Sequence, residues 1–232
     1  MEYTLLKETA AICEDILQGK IKAVLVEFHG LGGTDFAPGD IEREWGRHGV
    51  LVVHPYYGPW TWMNREARSY IDELIAAVYT HFELDGDIPL LFFGGSMGGF
   101  SALLYARYAK KKPAACVANC PVCDLNYHYS ERPDLPRTIL FSFRGYRESL
   151  EELFREHSPL CQAEFLPDIP YLIVHTAEDK AVNKRAHSDR MVAKMREYGL
   201  QVRYIELPKG GHCELTEEAQ REVIDFVLKK LS

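Results

Sequence analysis

Short apolar runs alternate with helix-like stretches along most of the chain. Residues 21–28 (IKAVLVEF) predict a strand that runs into His29-Gly30-Leu31-Gly32-Gly33, and residues 49–54 (GVLVVH) predict a second, stopped by Pro55. Between residues 64 and 82, Ile71, Leu74, Ile75, Val78 and Phe82 fall at i, i+3, i+4, i+7 and i+11, the one-sided stripe of an amphipathic helix. The short continuous run 89–93 (PLLFF) reads as a buried strand, and the Ala-, Leu- and Tyr-rich stretch 100–109 as a helix. The strand signal returns at 114–118, 171–174 and 202–207, with helix patterns at 186–198 and 217–231.

Continuous apolar strands separated by helices predict an α/β fold with a mainly parallel sheet covered on both faces. In such sheets ligands bind beyond the carboxyl ends of the strands, so chemistry is sought in the loops that follow them. The rhythm breaks at residues 124–168, which carry Pro133, Pro136, Pro159 and Pro167 and a helix-like piece at 148–156. This stretch is expected to be a short lid insertion within a single domain spanning 1–232, as the length allows.

Composition narrows the class. Hydrophobic residues at 47% and charged residues at 26% exclude disordered, collagen-like and coiled-coil chains. A formal charge of -7 speaks against nucleic acid or an anionic membrane as the main partner. Neither a membrane-length apolar run nor a signal-peptide core is visible, so a cytoplasmic location is expected. The six cysteines read as reduced core residues. Cys120-Pro-Val-Cys123, with Cys116 before it, has the spacing of a metal or redox pair, but Cys13, Cys161 and Cys213 supply no second pair. No metal and no cofactor are expected.

The most informative stretch is Gly94-Gly95-Ser96-Met97-Gly98-Gly99 between a predicted strand and a predicted helix. A serine presented on so tight a turn needs small residues on both sides, because the backbone is strained and the helix must pack close to the strand. The same stretch also fits a plain glycine-rich turn, but not a Walker loop or a dinucleotide fingerprint. A serine hydroxyl is a poor nucleophile until a base takes its proton, so a histidine and an orienting carboxylate are required further on. His212, in Lys209-Gly210-Gly211-His212-Cys213, follows the strand at 202–207; Asp179 follows the strand at 171–174, with Glu178 and Asp124 as rival acids. Two backbone N–H groups, of Met97 and Leu31, are the expected oxyanion donors.

With these motifs the chain resembles an α/β-hydrolase, and its second half is similar to the catalytic domain of the prolyl oligopeptidase family and to related small carboxylesterases. The matching segments are the Gly94–Gly99 turn, Ser158-Pro159, residues 169–175 (IPYLIVH), Asp179-Lys180-Ala181-Val182, Leu207-Pro208 and Gly211-His212. The resemblance implies Ser96 as nucleophile, Asp179 as acid and His212 as base. Thr176 stands where the family usually has Gly, and Asn183 where it often has Pro.

The family's peptidases carry a propeller that screens substrates by size. Only about twenty residues precede the first predicted strand, so a small-molecule carboxylesterase is expected ahead of a peptidase for short peptides. Arg144 and Arg147 would hold a peptide carboxylate in that second case. A non-catalytic ligand-binding homologue would be expected to lack a triad member, and none is missing. Trp60 and Trp62, with Tyr127 and Phe143 of the insertion, are the expected lining of a largely apolar substrate pocket. The sequence leaves a homodimer open.

Overall fold

The structure is a computed structural model that describes residues 3–33 and 36–231. Its centre is a seven-stranded sheet of order β1-β3-β2-β4-β5-β6-β7. The strands are β1 (Ala10–Ile12), β2 (Ala23–Phe28), β3 (Val50–Pro55), β4 (Leu90–Gly95), β5 (Ala115–Asn119), β6 (Tyr171–Thr176) and β7 (Val202–Leu207). Among the described residues only the edge strand β1 runs antiparallel, against β3; every other pair is parallel. Strands β4, β5 and β6 are buried along almost their whole length, which is why they read as unbroken apolar runs.

Helices cover both faces. The helices are α1 (Tyr3–Thr9), α2 (Asp40–Arg47), α3 (Arg65–His81), α4 (Met97–Tyr108), α5 (Leu125–Glu131), α6 (Leu135–Ser142), α7 (Leu150–His157), α8 (Arg190–Glu197) and α9 (Glu217–Leu228). One core layer joins Val24, Val26 and Phe28 of β2 to Ile71, Leu74 and Val78 of α3 and to Phe100 and Leu104 of α4. The other joins Leu25, Val52 and Val174 to Trp45 of α2 and to Val223 and Val227 of α9. Each layer is fed by alternate residues of the same strands, the consequence of the period-2 side-chain alternation.

Helix starts follow the chemistry of their first residues. Asn64 accepts from the Ala67 N–H ahead of α3, Ser149 and Glu152 bond reciprocally ahead of α7, and Thr216 accepts from the Ala219 N–H ahead of α9. The helix pattern at 186–198 resolves into a wide π-type turn, Arg185–Asp189, continuing as α8. The segment between β5 and β6 consists of α5, α6, α7 and a short 3-10 turn, Ala163–Phe165. It is tied to the body where Trp62 Nε1 donates to Thr138 Oγ1 at 3.2 Å, Asn64 Nδ2 to the Ser142 carbonyl at 3.0 Å and Arg68 to Glu156 at 3.1 Å. No helix among the described residues is long and apolar enough to cross a membrane.

Candidate active site

Ser96 sits between β4 and α4 with φ 58° and ψ -122°, a strained left-handed conformation for a residue with a side chain. Its backbone is held there by a 2.9 Å bond from its N–H to the Asn119 carbonyl of β5. A serine at a helix start usually turns its hydroxyl onto the helix; Ser96 makes no such bond, which leaves Oγ to the pocket. The close packing demands glycine. A Cβ on Gly98 would lie 2.0 Å from the Phe28 carbonyl oxygen of β2, and one on Gly94 would lie 2.4 Å from the Gly98 carbonyl carbon.

Asp179 lies in the loop after β6 with its side chain buried. Oδ1 accepts from the N–H groups of Ala181 at 2.8 Å and Val182 at 3.0 Å, and Oδ2 lies 2.6 Å from His212 Nδ1 and 3.2 Å from His175 Nε2. Burial alone would raise its pKa; the bonds from His175, His212, Val182 and Ala181 outweigh that and hold it well below the usual carboxylate range. The rivals sit elsewhere. Asp124 caps α5 through the N–H groups of Asn126 and Tyr127 and pairs with Arg190 at 2.7 Å, and Glu178 is exposed.

His212 follows β7 on a loop fastened at two points. Thr176 Oγ1 donates to the Gly210 carbonyl at 3.1 Å, and Asn119 Nδ2 donates to the Cys213 carbonyl at 2.9 Å. Thr176, the departure from the family pattern, is thus an anchor of the histidine loop, while Asn183 caps the following turn through the Ala186 N–H. Burial lowers the pKa of His212, but its bonds to Asp179 and to Cys120 push it up to about 9. Its Nε2 faces Cys213 Sγ at 3.7 Å. The pocket brings Ser96 and His212 together with Met97 and Leu31, although among the described residues Ser96 Oγ and His212 make no direct hydrogen bond. In substrate-free enzymes this contact is often long and tightens only with substrate bound.

The pocket has a volume of about 550 Å³. Its wall includes Trp62, itself fully buried, whereas Trp60 packs edge-on against Phe141, Tyr127 lies against His187, and Phe143 is buried between Tyr146 and His157, all three outside the lining. Instead of the largely apolar surface expected, the lining carries Glu27, His29, His54, His128 and Arg132. Glu27 Oε2, His29 Nε2 and His54 Nδ1 are buried with no hydrogen-bond partner among the described residues. Burial, reinforced by Glu42, drives the Glu27 pKa up, and burial with the neighbouring His29 lowers His54 to about 4, so His54 is uncharged at neutral pH. The signal for this polar floor was a carboxylate inside an apolar strand, VLVEF, and histidines at the ends of two strands.

Among the described residues, three groups of side chains are close enough to share an ion: Cys120 with His212 and Cys213, Cys120 with His175 and Asp179, and His128 with Glu131 and His187. The last is closed by structural bonds. His187 Nδ1 accepts from the N–H groups of Cys123 and Asp124 and its Nε2 meets Glu131 at 3.0 Å, while His128 holds the same carboxylate at 2.6 Å.

The prolyl oligopeptidase family profile matches residues 79–231. No curated protein is significantly similar in sequence. Among solved structures, the chain is similar to the acylaminoacyl peptidase of Pyrococcus horikoshii (TM-score 0.74, 16% identity, 92% of this chain and 38% of that one). It is also similar to a puromycin-hydrolyzing peptidase of Mycobacterium tuberculosis (0.72, 18%, 91% and 34%) and to esterase B of Lactobacillus rhamnosis (0.70, 14%, 92% and 76%). The chain therefore spans well under half the length of those two peptidases and about three quarters of the esterase. These likenesses show the α/β-hydrolase fold, and with a family match across about two thirds of its length the chain belongs to the prolyl oligopeptidase family, a family of serine hydrolases.

Proposed function

We propose that the protein hydrolyses carboxylic esters of small polar molecules through an acyl-enzyme. The observation that carries this is the shared pocket: Ser96 on its strained turn, His212 bonded to a buried, ionised Asp179 at 2.6 Å, and a cavity of about 550 Å³, the size of a small-molecule site. In this mechanism His212 Nε2 takes the Ser96 proton as Oγ attacks the ester carbonyl, and the N–H groups of Met97 and Leu31 receive the developing oxyanion. His212 then returns the proton to the departing alcohol. A water molecule, deprotonated in the same way, releases the acid and restores Ser96.

The unpartnered polar floor of Glu27, His29 and His54 favours a substrate with a hydrogen-bonding group, which would give these buried donors and acceptors a partner. We take residues 124–168 as a cover over the site, in keeping with the contribution of His128 and Arg132 to the pocket wall. The test is a panel of nitrophenyl esters, with plain alkyl and hydroxyl- or amide-bearing acyl groups, beside aminoacyl nitroanilides. Hydrolysis is expected for the esters, fastest with polar acyl groups of similar size. Anilide turnover exceeding that of all esters would make the enzyme a peptidase.

A further inference from the structure

Two cysteines stand beside the imidazole of His212. Cys213 follows it in the chain, and Cys120 stands at the end of β5, 1% exposed. Both hold positive φ, 61° and 46°, a conformation that residues with side chains seldom adopt. The two Sγ atoms and a ring nitrogen of His212 all lie within 4.8 Å of one another.

We propose that Cys120, His212 and Cys213 form a zinc site, and that zinc bound there switches the hydrolase off. Three observations converge on it. Zinc–sulfur and zinc–nitrogen bonds of about 2.3 and 2.0–2.1 Å at a tetrahedral angle separate the donor atoms by roughly 3.6 Å; Cys213 Sγ and His212 Nε2 stand 3.7 Å apart. His212 gives its Nδ1 to Asp179 at 2.6 Å, the carboxylate–histidine arrangement that fixes the tautomer of a metal-bound imidazole and leaves Nε2 free to ligate. The donors are two thiols and one imidazole, a set that zinc prefers to the harder cations. The site opens to the pocket through His212 and Cys213, so the ion has a way in and a fourth position remains for water.

Binding releases to solvent the protons of both thiols, and that of His212 where the imidazole is protonated, and leaves two thiolates and a neutral imidazole on the ion. Nε2 is then no longer available to Ser96. The loss of turnover rests on the role proposed for His212, whereas metal binding itself does not.

Cobalt(II) is the probe, because thiolate ligation gives it a charge-transfer absorption that needs no turnover. Wild type and Ser96→Ala should each bind one cobalt per chain with that band, and zinc should displace it. Cys120→Ser and Cys213→Ser should lose it, and Asp179→Asn should bind roughly 10–100-fold more weakly. Zinc at the concentration that displaces cobalt should abolish ester hydrolysis, with recovery on adding a chelator. If a cysteine variant fails to fold, alkylation of the wild type answers the same question: zinc should protect Cys213 from iodoacetamide and leave the exposed Cys161 reactive. Absence of a stoichiometric band, a band that survives both cysteine substitutions, or full activity with zinc bound would overturn the proposal. Activity retained by Ser96→Ala would overturn the catalytic role of Ser96 while leaving the cobalt result to stand by itself.

Discussion

Asp179 Oδ2 lies 2.6 Å from His212 Nδ1, and the same carboxylate is pinned by two backbone N–H groups and by His175. A carboxylate so held fixes both the tautomer and the direction of the imidazole. Asp179→Asn should keep the fold and lower kcat by up to ~10⁴-fold, as loss of the correct tautomer does in serine hydrolases. Asp124→Asn should instead weaken the start of α5 and the pair with Arg190, costing ~1 kcal/mol in thermal or urea unfolding and little in kcat. The two variants compared by steady-state kinetics and denaturation decide the assignment.

The pH profile follows from His212. A general base works in its neutral form, and with its pKa pushed up to about 9 by Asp179 and Cys120 the base is mostly protonated at pH 7. In the presence of a chelator, kcat/KM should rise about tenfold per pH unit and level off only near pH 9. Cys120→Ala removes one of the raising contacts, so the limb should move to lower pH. An unmoved limb would mean that Cys120 does not act on the histidine.

Gly98 makes the closest backbone approach of the described glycines. Its Cα passes the Phe28 carbonyl so closely that a Cβ would lie 2.0 Å from the oxygen, and that atom is backbone and has nowhere to go. Gly98→Ala should destabilise the protein by at least the ~1–3 kcal/mol usual for overpacking. A melting temperature equal to wild type would contradict the close approach of α4 to β2.

Substrate ranking should respond to Trp62 and not to Trp60. Trp62 forms part of the pocket wall, while Trp60 packs on Phe141 and Arg137 away from it. Trp62→Phe should reorder esters by acyl size, each methylene being worth ~0.8 kcal/mol or roughly fourfold in kcat/KM. Trp60→Ala should leave the order as it is. The same order in both variants would remove Trp62 from substrate selection.

Much of the sheet was legible because β2 to β6 are largely buried and apolar, and α3 and α9 carry regular stripes. Among the first 47 residues, β1 and α2 were not. β1 has three residues and no alternation to read, and α2 shows only Ile41 and Trp45 on an otherwise polar surface. That Ser96 and His212 meet in one pocket with Asp179 bonded to His212 could be anticipated from their order after strands, since the end of a parallel strand fixes where a loop begins. The lining could not: aromatic residues near a strand end signal burial but not the direction of burial, and Phe143 and Tyr127 turn to His157 and His187. Cys120 escaped for a related reason. It was weighed with Cys116 and Cys123, its sequence neighbours, whereas the fold brings it to Cys213, 93 residues further along the chain.

The most direct measurement is intact mass after exposure to a fluorophosphonate, which reacts only with an activated serine. Wild-type protein should gain the mass of one phosphonyl group, mapped to Ser96 by peptide sequencing, and Ser96→Ala should gain none. Equal labelling of the Ser96→Ala variant would contradict an acyl-enzyme on Ser96, and with it the role of the Asp179–His212 pair as its base.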